Sequence, residues 1–275
     1  MNALPDWLTQ KFPSSARYNF AWQAENAFGG NPVWLAEWLT NDLPLRPGMK
    51  VLDLGCGRAK SSIFLAREFG VQVIGVDLMI DPAETQQRIR HAGLEGQILP
   101  LYCDARQLPF AAESFDAIIS LDAYFYFGTD DLYLNYLANF VRPGGWLGVA
   151  GAGLTHEIDG EVPEHLRENW TQDYWSLHSA SWMRRHWEKT GIVDIVQADA
   201  MSDGGRVWLE WQRRAHPHNE QEIRSLEIDD GRWITYTRTI ARRRADVKLE
   251  EYCWPSNRRV LPVQFDPLPI EAEPA

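Results

Sequence analysis

Four apolar segments in the first half of the chain each end in an aspartate. The four aspartates are Asp53, Asp77, Asp104 and Asp122. Helical spacing of apolar residues follows most of these segments, and short buried strands that alternate with helices predict a parallel sheet covered by helices on both faces. Because the carboxyl ends of parallel strands share one edge, we expect the four carboxylates at the edge where open α/β sheets bind ligands.

The chain of 275 residues is long enough to extend this pattern to seven strands. The predicted strands are Met49–Leu54, Val71–Val76, Gln97–Cys103, Phe115–Leu121, Trp146–Ala150, Ile192–Ala198 and Arg232–Ile240. The predicted helices are Ser61–Phe69, Pro82–Gly93, Leu132–Phe140, Ser179–Thr190 and Val207–Leu226, and a further helix begins at Asn31-Pro32. We therefore predict the α/β class, with a doubly wound, mostly parallel seven-stranded sheet, an N-terminal helical segment and a lid insertion.

Composition shifts divide the chain into three parts. Residues 1–48 carry short aromatic patches and are predicted to form a helical cap, whereas residues 49–245 hold the sheet. Residues 246–275, with five prolines after position 254, are predicted to form an extended tail. Within the main part, residues 151–178 interrupt the strand pattern with a polar, glycine-containing stretch, which we interpret as a lid over the ligand-binding edge.

The composition argues against several functional classes. A net charge of −11 disfavours a nucleic-acid binder that neutralises phosphates. No apolar run reaches the roughly 18 residues that a membrane span needs, and the first residues lack the parts of a secretory signal. Three widely spaced cysteines favour a reduced, cytoplasmic environment over a disulfide framework. No His, Cys and acid cluster has ligand spacing, so no metal is predicted, and a homodimer is left open.

The turn after the first strand indicates a nucleoside-containing cofactor. Gly55 and Gly57 let the backbone approach a ligand closely, and Asp77 at the end of the second strand can accept both hydroxyls of a ribose. A nicotinamide or flavin site favours G-x-G-x-x-G, but Lys60 stands where the third glycine would be. A nicotinamide-dependent oxidoreductase is therefore the alternative prediction.

Five motifs, in their order along the chain, resemble those of the class I S-adenosylmethionine-dependent methyltransferases. They are VLDLGCG, VIGVDL, CDARQLPF, SFDAIIS and VRPGG. The resemblance covers about residues 30–150, and the chain is similar to a small-molecule branch that includes the cyclopropane-fatty-acid, methylbenzoquinone and phosphoethanolamine methyltransferases. It implies S-adenosyl-L-methionine as the cofactor and methyl transfer to a small molecule as the reaction. N-, O- and C-methylation stay open, and so does a catalytically silent protein that only binds the cofactor.

The resemblance implies a cofactor site at the ends of the first four strands. Its members would be Asp53, Gly55, Cys56, Gly57, Asp77, Leu78, Asp104, Ala105 and Leu121. In that arrangement Asp53 lies near the methionine amino group, Asp77 holds the ribose hydroxyls, and Asp104 accepts from the adenine amino group. Cys56 is expected to serve packing, because no base pattern accompanies it.

The acceptor side is predicted from residues near the fourth and fifth strand ends. Asp122, Tyr126 and His156 are the candidate catalytic residues, and the alternative for Asp122 is a structural cap. In phosphoethanolamine-type enzymes an Asp is followed four residues later by a His, and Tyr126 departs from that pattern. Tyr18, Trp22 and Tyr124 are the candidate pocket walls, with core packing as their alternative, because aromatic walls suit flat or cationic acceptors.

Tryptophan is distributed unevenly along the chain. There are thirteen tryptophans, and none of them lies between Val51 and Asp122, the part that carries the cofactor motifs. Trp146 opens the fifth predicted strand, and the others lie in the N-terminal segment or beyond position 165. The excess therefore favours the cap and the acceptor side, where substrate identity would be decided.

Overall fold

The computed structural model describes residues 4–249, and its centre is one seven-stranded sheet. The strands are β1 (Lys50–Leu54), β2 (Gln72–Asp77), β3 (Ile98–Tyr102), β4 (Phe115–Leu121), β5 (Val141–Leu154), β6 (Val193–Ala200) and β7 (Ile234–Arg243). Their order is β3-β2-β1-β4-β5-β7-β6. The first five strands pair in parallel, and β7 runs antiparallel to both β5 and β6. The predicted mostly parallel seven-stranded sheet is confirmed.

Helices cover both faces of this sheet. Those in the described part are α1 (Asp6–Lys11), α2 (Phe20–Ala24), α3 (Pro32–Thr40), α4 (Lys60–Phe69), α5 (Pro82–His91), α6 (Tyr133–Ala138), α7 (Gln172–Trp175), α8 (Ala180–Glu188), α9 (Gly204–Ala215) and α10 (Glu220–Asp229). One core joins the sheet to α3, α4 and α9, and a second core on the opposite face joins it to α6 and α8. This is the doubly wound arrangement that the sequence predicts.

The predicted start of α3 is present, with its cap. Pro32 occupies the first turn, and the Asn31 side chain accepts hydrogen bonds from the backbone N–H groups of Val33 and Trp34. Proline at this position sacrifices no helical hydrogen bond, and asparagine satisfies amides that the helix itself leaves unpaired.

The fifth strand is longer than predicted and shortens the lid. The sequence placed residues 151–154 in the insertion, but β5 continues to Leu154, which pairs with Ile234 of β7. The glycines in this stretch are typical of a loop. Here they allow close packing against β7, because a Cβ at Gly153 would lie 2.5 Å from Thr237 Oγ1. The insertion therefore begins after Leu154. Residues 164–169 and α7 give it short helical turns.

The single helix predicted over Val207–Leu226 is two helices. α9 ends at Ala215 and α10 begins at Glu220, with Pro217 between them. Proline in a helix interior lacks the N–H that the ladder needs and clashes with the preceding turn, so the chain bends there. The break brings α10 back against α9 and the lid turn at 164–169.

The N-terminal segment belongs to the main core. Leu8, Phe12 and Trp34 are buried in the same cluster as α9, where the Trp34 ring lies 5.4 Å from Phe12 and 5.5 Å from Trp211. The proline-rich tail predicted at 246–275 lies outside the described residues from position 250 onward. Within the described part of the chain, no helix combines the length and apolarity required to traverse a bilayer.

Candidate cofactor and acceptor site

The strand order reverses next to β1, which has β2 on one side and β4 on the other. Loops that follow these strands diverge to opposite faces, and ligands of open α/β sheets bind in the crevice that this divergence leaves. Asp53 lies in β1, Asp77 ends β2, and Asp122 directly follows β4. The topology therefore brings three of the four sequence-predicted aspartates to this crevice, with Asp104 at the end of the neighbouring β3 segment.

Asp53 is a buried carboxylate with one free oxygen. Its Oδ2 accepts hydrogen bonds from the hydroxyls of Ser61 and Ser62, each at 2.6 Å. Its Oδ1 has no hydrogen-bond partner within residues 4–249. Burial raises the pKa of Asp53 to about 6, and the two serine hydroxyls oppose that rise. An unpaired buried oxygen is costly, so this atom is suited to a donor that a ligand brings.

The turn after β1 has the backbone that a close ligand needs. Gly55 and Gly57 both have left-handed φ values, 79° and 51°. A Cβ at Gly55 would clash with the Ala123 Cβ, whereas a Cβ at Gly57 would face open space. Cys56 between them is buried, and its Sγ fills the room left by Gly75, where a Cβ would lie 2.9 Å away. The turn is thus open at Gly57, and Cys56 acts in packing.

Asp77 organises the same turn through backbone amides. Its Oδ2 accepts from the Gly57 N–H at 2.9 Å, and its Oδ1 accepts from the Met79 and Ile80 N–H groups at 2.7 and 3.0 Å. A carboxylate offers about four lone-pair sites, so this one retains capacity for a further donor. Leu78, predicted to pack on the adenine, is 44% exposed at this edge.

Asp104 carries an ion pair at the end of β3. The Arg106 guanidinium lies across both carboxylate oxygens, at 3.0 and 2.8 Å, and holds the pKa of Asp104 below its usual range. The Ala105 carbonyl accepts from the Tyr133 hydroxyl at 3.0 Å. Leu121 is buried as the last residue of β4. To reach Asp104, a nucleobase amino group would have to displace part of its ion pair with Arg106. The Arg106 side chain is half-exposed, so this ion pair is weak.

Asp122 has the geometry of a clamp. It adopts a left-handed φ of 53°, and its side chain joins two separate segments. Oδ2 accepts from the Gly30 N–H of the cap at 2.5 Å, and Oδ1 accepts from the Ala152 N–H of β5 at 2.9 Å. Burial raises the pKa of Asp122, while these two amides oppose the rise. Both oxygens serve the backbone, which supports the structural alternative for a residue predicted as catalytic.

Tyr126 and His156 lie apart from this clamp. The Tyr126 hydroxyl is 3.4 Å from an Asp173 oxygen of α7, and burial together with that carboxylate raises its pKa to about 12. His156 is exposed two residues beyond β5, and its ring lies 4.1 Å from the ring of Trp233. Tyr126 is thus at the edge of the lid. The role of His156 as a base stays a prediction.

The three aromatic residues predicted as pocket walls do not form one wall. Tyr18 donates to Glu68 Oε1 at 2.8 Å and stacks on Trp22, so both lie on the outer side of α4. They line a cleft of about 670 Å³ between the cap and helices α4 and α5. Tyr124 is buried on the opposite face of the sheet, 5.6 Å from the Trp187 ring. The spacing of aromatic residues in short helices does not determine which neighbour each ring faces. The sequence alone therefore cannot separate Tyr18 and Trp22 from Tyr124.

A different aromatic group joins the lid to β7 and to helices α9 and α10. The Trp208 ring of α9 stacks on Tyr236 of β7 at 5.2 Å and lies 6.2 Å from Tyr174 of α7. Glu222 of α10 accepts at Oε1 from the Trp208 Nε1–H at 2.9 Å and from the Tyr174 hydroxyl at 3.2 Å. The tryptophan excess beyond position 165 was the signal for this group. Glu222 gave none, because it lies among exposed charges in the sequence.

Lys60, which marks the departure from the nicotinamide pattern, fixes the cap. Its ammonium group donates to the backbone carbonyls of Gln23 and Glu25 at 2.7 and 2.6 Å. The side chain is buried, and this burial lowers the pKa of Lys60 to about 8. Lys60 therefore joins the end of α2 to α4. In a dinucleotide-binding fold, the glycine at this position would instead allow close packing of the helix on the strand.

The comparison with known proteins identifies one domain of the chain. Residues 51–145 match the family model described as a methyltransferase domain. This part of the chain is a methyltransferase domain. The match spans β1 to the start of β5, so it contains the glycine turn and the four aspartates.

Similar methyltransferases extend this match to different degrees. The chain is 35% identical over 126 residues to Methyltransferase GfsG of Streptomyces halstedii, covering 46% of this chain and 45% of that one. It is 28% identical over 235 residues to the 27-O-demethylrifamycin SV methyltransferase of Amycolatopsis mediterranei, covering 82% and 84%. The chain spans less than half the length of the first curated relatives it matches, at 45% and 39%.

A solved methyltransferase has the same fold. It is the Haemonchus contortus phosphoethanolamine N-methyltransferase 2 in complex with S-adenosyl-L-methionine. The two share 22% sequence identity and a TM-score of 0.67, over 87% of this chain and 59% of that one.

The described residues contain no group of histidines, cysteines and acids that could hold a metal ion.

Proposed function

We propose that the protein transfers the methyl group of S-adenosyl-L-methionine to a small-molecule acceptor. One observation carries the proposal: the unpartnered Oδ1 of buried Asp53 lies beside the left-handed glycine turn of a methyltransferase domain. An amino group is the kind of donor that would complete this carboxylate, and S-adenosyl-L-methionine carries one. The open space before Gly57 leaves room for a ligand against the turn.

In this proposal three strand ends hold the cofactor. Asp53 takes its amino group, Asp77 uses its remaining lone pair for the ribose, and Asp104 accepts from the adenine amino group. Leu78, Ala105 and Leu121 complete the walls. The cofactor supplies a methyl group on a positively charged sulfur, which is already a good leaving group, so the protein mainly aligns the acceptor and excludes water.

Asp122 acts in this proposal as a positioning residue. Its two amide contacts tie the cap at Gly30 to β5 at Ala152, which is where an acceptor would meet the methyl group. Tyr126 lies at the lid edge through Asp173, so we assign it to closure over the acceptor. The cap and the lid together would exclude water from the reacting atoms.

The setting of the enzyme is part of the same proposal. We propose a cytoplasmic protein that acts on a small molecule and does not bind nucleic acid. The net charge of −11 and the three widely spaced cysteines support this assignment. The homodimer left open by the sequence is measured by sedimentation of the full chain.

Calorimetry with the purified protein tests the proposal. S-adenosylhomocysteine should bind, and Asp77→Ala should weaken its binding by about tenfold or more, since the turn loses both its amide anchor and a ribose contact. No binding at millimolar ligand would overturn the proposal. Binding of NADH in its place would favour the oxidoreductase alternative. Methyl release measured across amines, phenols and carboxylates distinguishes an enzyme from a protein that holds the cofactor silently.

A further inference from the structure

A histidine of the lid lies beside β5, in line with the end of β4. Asp122 follows β4, and its Oδ1 accepts from the Ala152 N–H of β5 at 2.9 Å. Two residues further along β5, the Leu154 N–H donates to the His178 carbonyl at 3.1 Å. The N–H groups of alternate residues point to the same edge of a strand and lie about 7 Å apart, so His178 continues the line of β4 beyond Asp122.

The space beyond the end of β4 has the glycine turn on one side and His178 on the other. β4 lies between β1 and β5 in the sheet. The turn after β1 reaches the loop after β4, because a Cβ at Gly55 would lie 2.4 Å from the Ala123 Cβ. On the side of β5, a Cβ at Gly153 would lie 2.9 Å from the His178 carbonyl oxygen, so the glycine allows this close approach. An acceptor placed between His178 and the glycine turn would face both.

A carboxylate holds one nitrogen of the His178 ring. Nδ1 lies 2.9 Å from Glu157 Oε2, and the other oxygen of Glu157 accepts from the Ser179 N–H and hydroxyl at 2.7 and 2.6 Å. Burial favours the protonated acid, but the hydrogen bonds from Ser179 and His178 hold the pKa of Glu157 below its usual range. An ionised carboxylate only accepts hydrogen bonds, so Nδ1 carries the hydrogen and Nε2 keeps the lone pair that can take a proton.

Stacked rings fix the plane of this imidazole. The Trp182 ring lies parallel to His178, with centroids 3.6 Å apart and planes 5° apart, and His186 stacks on Trp182 at 4.5 Å. Burial lowers the pKa of His186, as does nearby Lys189, so this second imidazole stays neutral. A proton taken by His178 would therefore lie between an indole face and the Glu157 carboxylate, both of which stabilise a cation.

We propose that His178 is the base that removes the proton of a hydroxyl acceptor, and that Glu157 positions it. The inference rests on the proposed methyl transfer and adds the chemical class of its acceptor. A hydroxyl is a weak nucleophile until its proton leaves, so a base at this place raises its reactivity. A carboxylate is already ionised at neutral pH, and an amine attacks through the lone pair of its neutral form. Neither of these two groups needs a base before it attacks.

The proton and the electron pairs balance in this reaction. Nε2 of His178 takes the hydroxyl proton while the acceptor oxygen uses the freed electron pair to form its bond to the methyl carbon. The C–S bond breaks, and its electron pair stays on sulfur. The positive charge thus passes from sulfur to the imidazole ring, which later releases the proton to water, and Glu157 and Trp182 stabilise the charge in the interval.

The chromogenic phenol 4-nitrophenol tests the base without requiring turnover. The full-length protein is saturated with S-adenosylhomocysteine and titrated with this phenol at a pH just below the pKa of the probe, where most of the free probe is un-ionised. Binding beside His178 should raise the ratio of phenolate to phenol, read from the phenolate absorbance, by about tenfold or more, as a charge-assisted hydrogen bond allows. Absence of probe binding, or binding of the probe in its un-ionised form, would overturn the inference. Absence of S-adenosylhomocysteine binding would instead contradict the proposed function.

Two variants assign the ionisation to His178 and its partner. His178→Gln removes the base, whereas Glu157→Gln keeps an oxygen for Ser179 but presents an N–H to Nδ1, which forces the hydrogen onto Nε2. Both variants should lose the phenolate signal while the affinity for S-adenosylhomocysteine stays as in the wild type. His218→Gln, an exposed change beyond α9, is the matched control and should retain the signal.

Turnover provides the second readout. With S-adenosyl-L-methionine and 4-nitrophenol, His178→Gln should form the methyl ether about 10²-fold or more slowly than the wild type, as expected for loss of a general base. Equal rates, including no transfer by either protein, would contradict the inference. So would a phenolate signal that survives in His178→Gln and disappears in His156→Gln, since the Nδ1 of His156 lies 2.8 Å from the Thr155 hydroxyl and has no carboxylate there.

Discussion

At the scale of single residues, the site is built from carboxylates whose backbone and hydroxyl partners are already in place. Asp77 and Asp122 each accept from amides of two different segments, so they shape the crevice before any ligand arrives. Asp53 differs, because burial leaves one of its oxygens without a partner in the described chain. Ionisation of Asp53 should therefore carry a measurable cost in the ligand-free protein.

The first prediction follows from that cost. The pKa of Asp53 rises from 3.8 to about 6 on folding, so its contribution to stability is fully present below pH 3.8 and is lost as the pH rises through about 6. The loss corresponds to roughly 3 kcal/mol. Asp53→Asn removes the titration, so its unfolding free energy in urea should fall less than that of the wild type between pH 4 and 7.

Asp53→Asn should weaken cofactor binding, although it reduces the loss of stability between pH 4 and 7. The amide introduced by Asp53→Asn presents a donor where the cofactor amino group needs an acceptor, so this variant should bind S-adenosylhomocysteine about tenfold or more weakly. Asp194→Asn on exposed β6 is the matched control and should change neither quantity. A wild-type pH profile in the Asp53→Asn variant would mean that another group carries the titration.

The second prediction separates a clamp from a base at Asp122. Asp122→Ala should lower turnover more than cofactor affinity, and Gly29→Ala should do the same although it keeps the carboxylate. The reason is geometric: Gly29 has a φ of 56°, and a Cβ there would clash with Asp122 Oδ2, so the Gly30 contact cannot persist. Steady-state kinetics of both variants provide the measurement. Full activity of Gly29→Ala beside an inactive Asp122→Ala would assign Asp122 to proton transfer.

At the scale of elements, the sequence predicts a strand well where local residues determine its ends. It predicts a strand poorly where pairing with a distant strand determines its length. The strands β1 to β4 lie close to their predicted positions, because each is an apolar run closed by a turn. β5 exceeds its prediction since β7 pairs with it through Gly151 and Gly153, and no local signal reports that pairing. The break between α9 and α10 had a local signal in Pro217, which the helical spacing on either side concealed.

The junction of α2 and α4 gives the third prediction. Burial lowers the pKa of Lys60 from 10.5 to about 8, so the unfolded state binds more protons between these values and stability rises with pH there. Lys60→Met removes this titration, and the wild type should gain up to roughly 3 kcal/mol relative to the variant between pH 8 and 10. Urea unfolding at both pH values measures the difference. Lys50→Met, at an exposed lysine, should show no such change.

At the scale of the whole molecule, the cofactor side was predictable and the acceptor side was not. The predicted cofactor residues follow strand ends within residues 51–122, so motif order alone brings them together. The aromatic group beyond position 165 joins Tyr174, Trp208, Glu222 and Tyr236, which meet only because the lid, two helices and an antiparallel strand converge. Single-sequence patterns carry no signal for such convergence. The sequence therefore grouped Tyr18 and Trp22 with Tyr124, from which the structure separates them.

The last prediction concerns the cap, which shares its core with the sheet. Trp34 of α3 is 2% exposed and packs against Trp211 of α9, and Gly148 of β5 lies against Leu39 and Leu43. Because no separate hydrophobic core divides cap from sheet in residues 4–249, this whole body should unfold in one transition. Trp34→Ala should lower the unfolding free energy by about 3–5 kcal/mol and shift far-UV circular dichroism and tryptophan fluorescence together. Two separated transitions in the variant would show that the cap melts independently, and Trp175→Ala, at an exposed tryptophan of the lid, should leave the midpoint nearly unchanged.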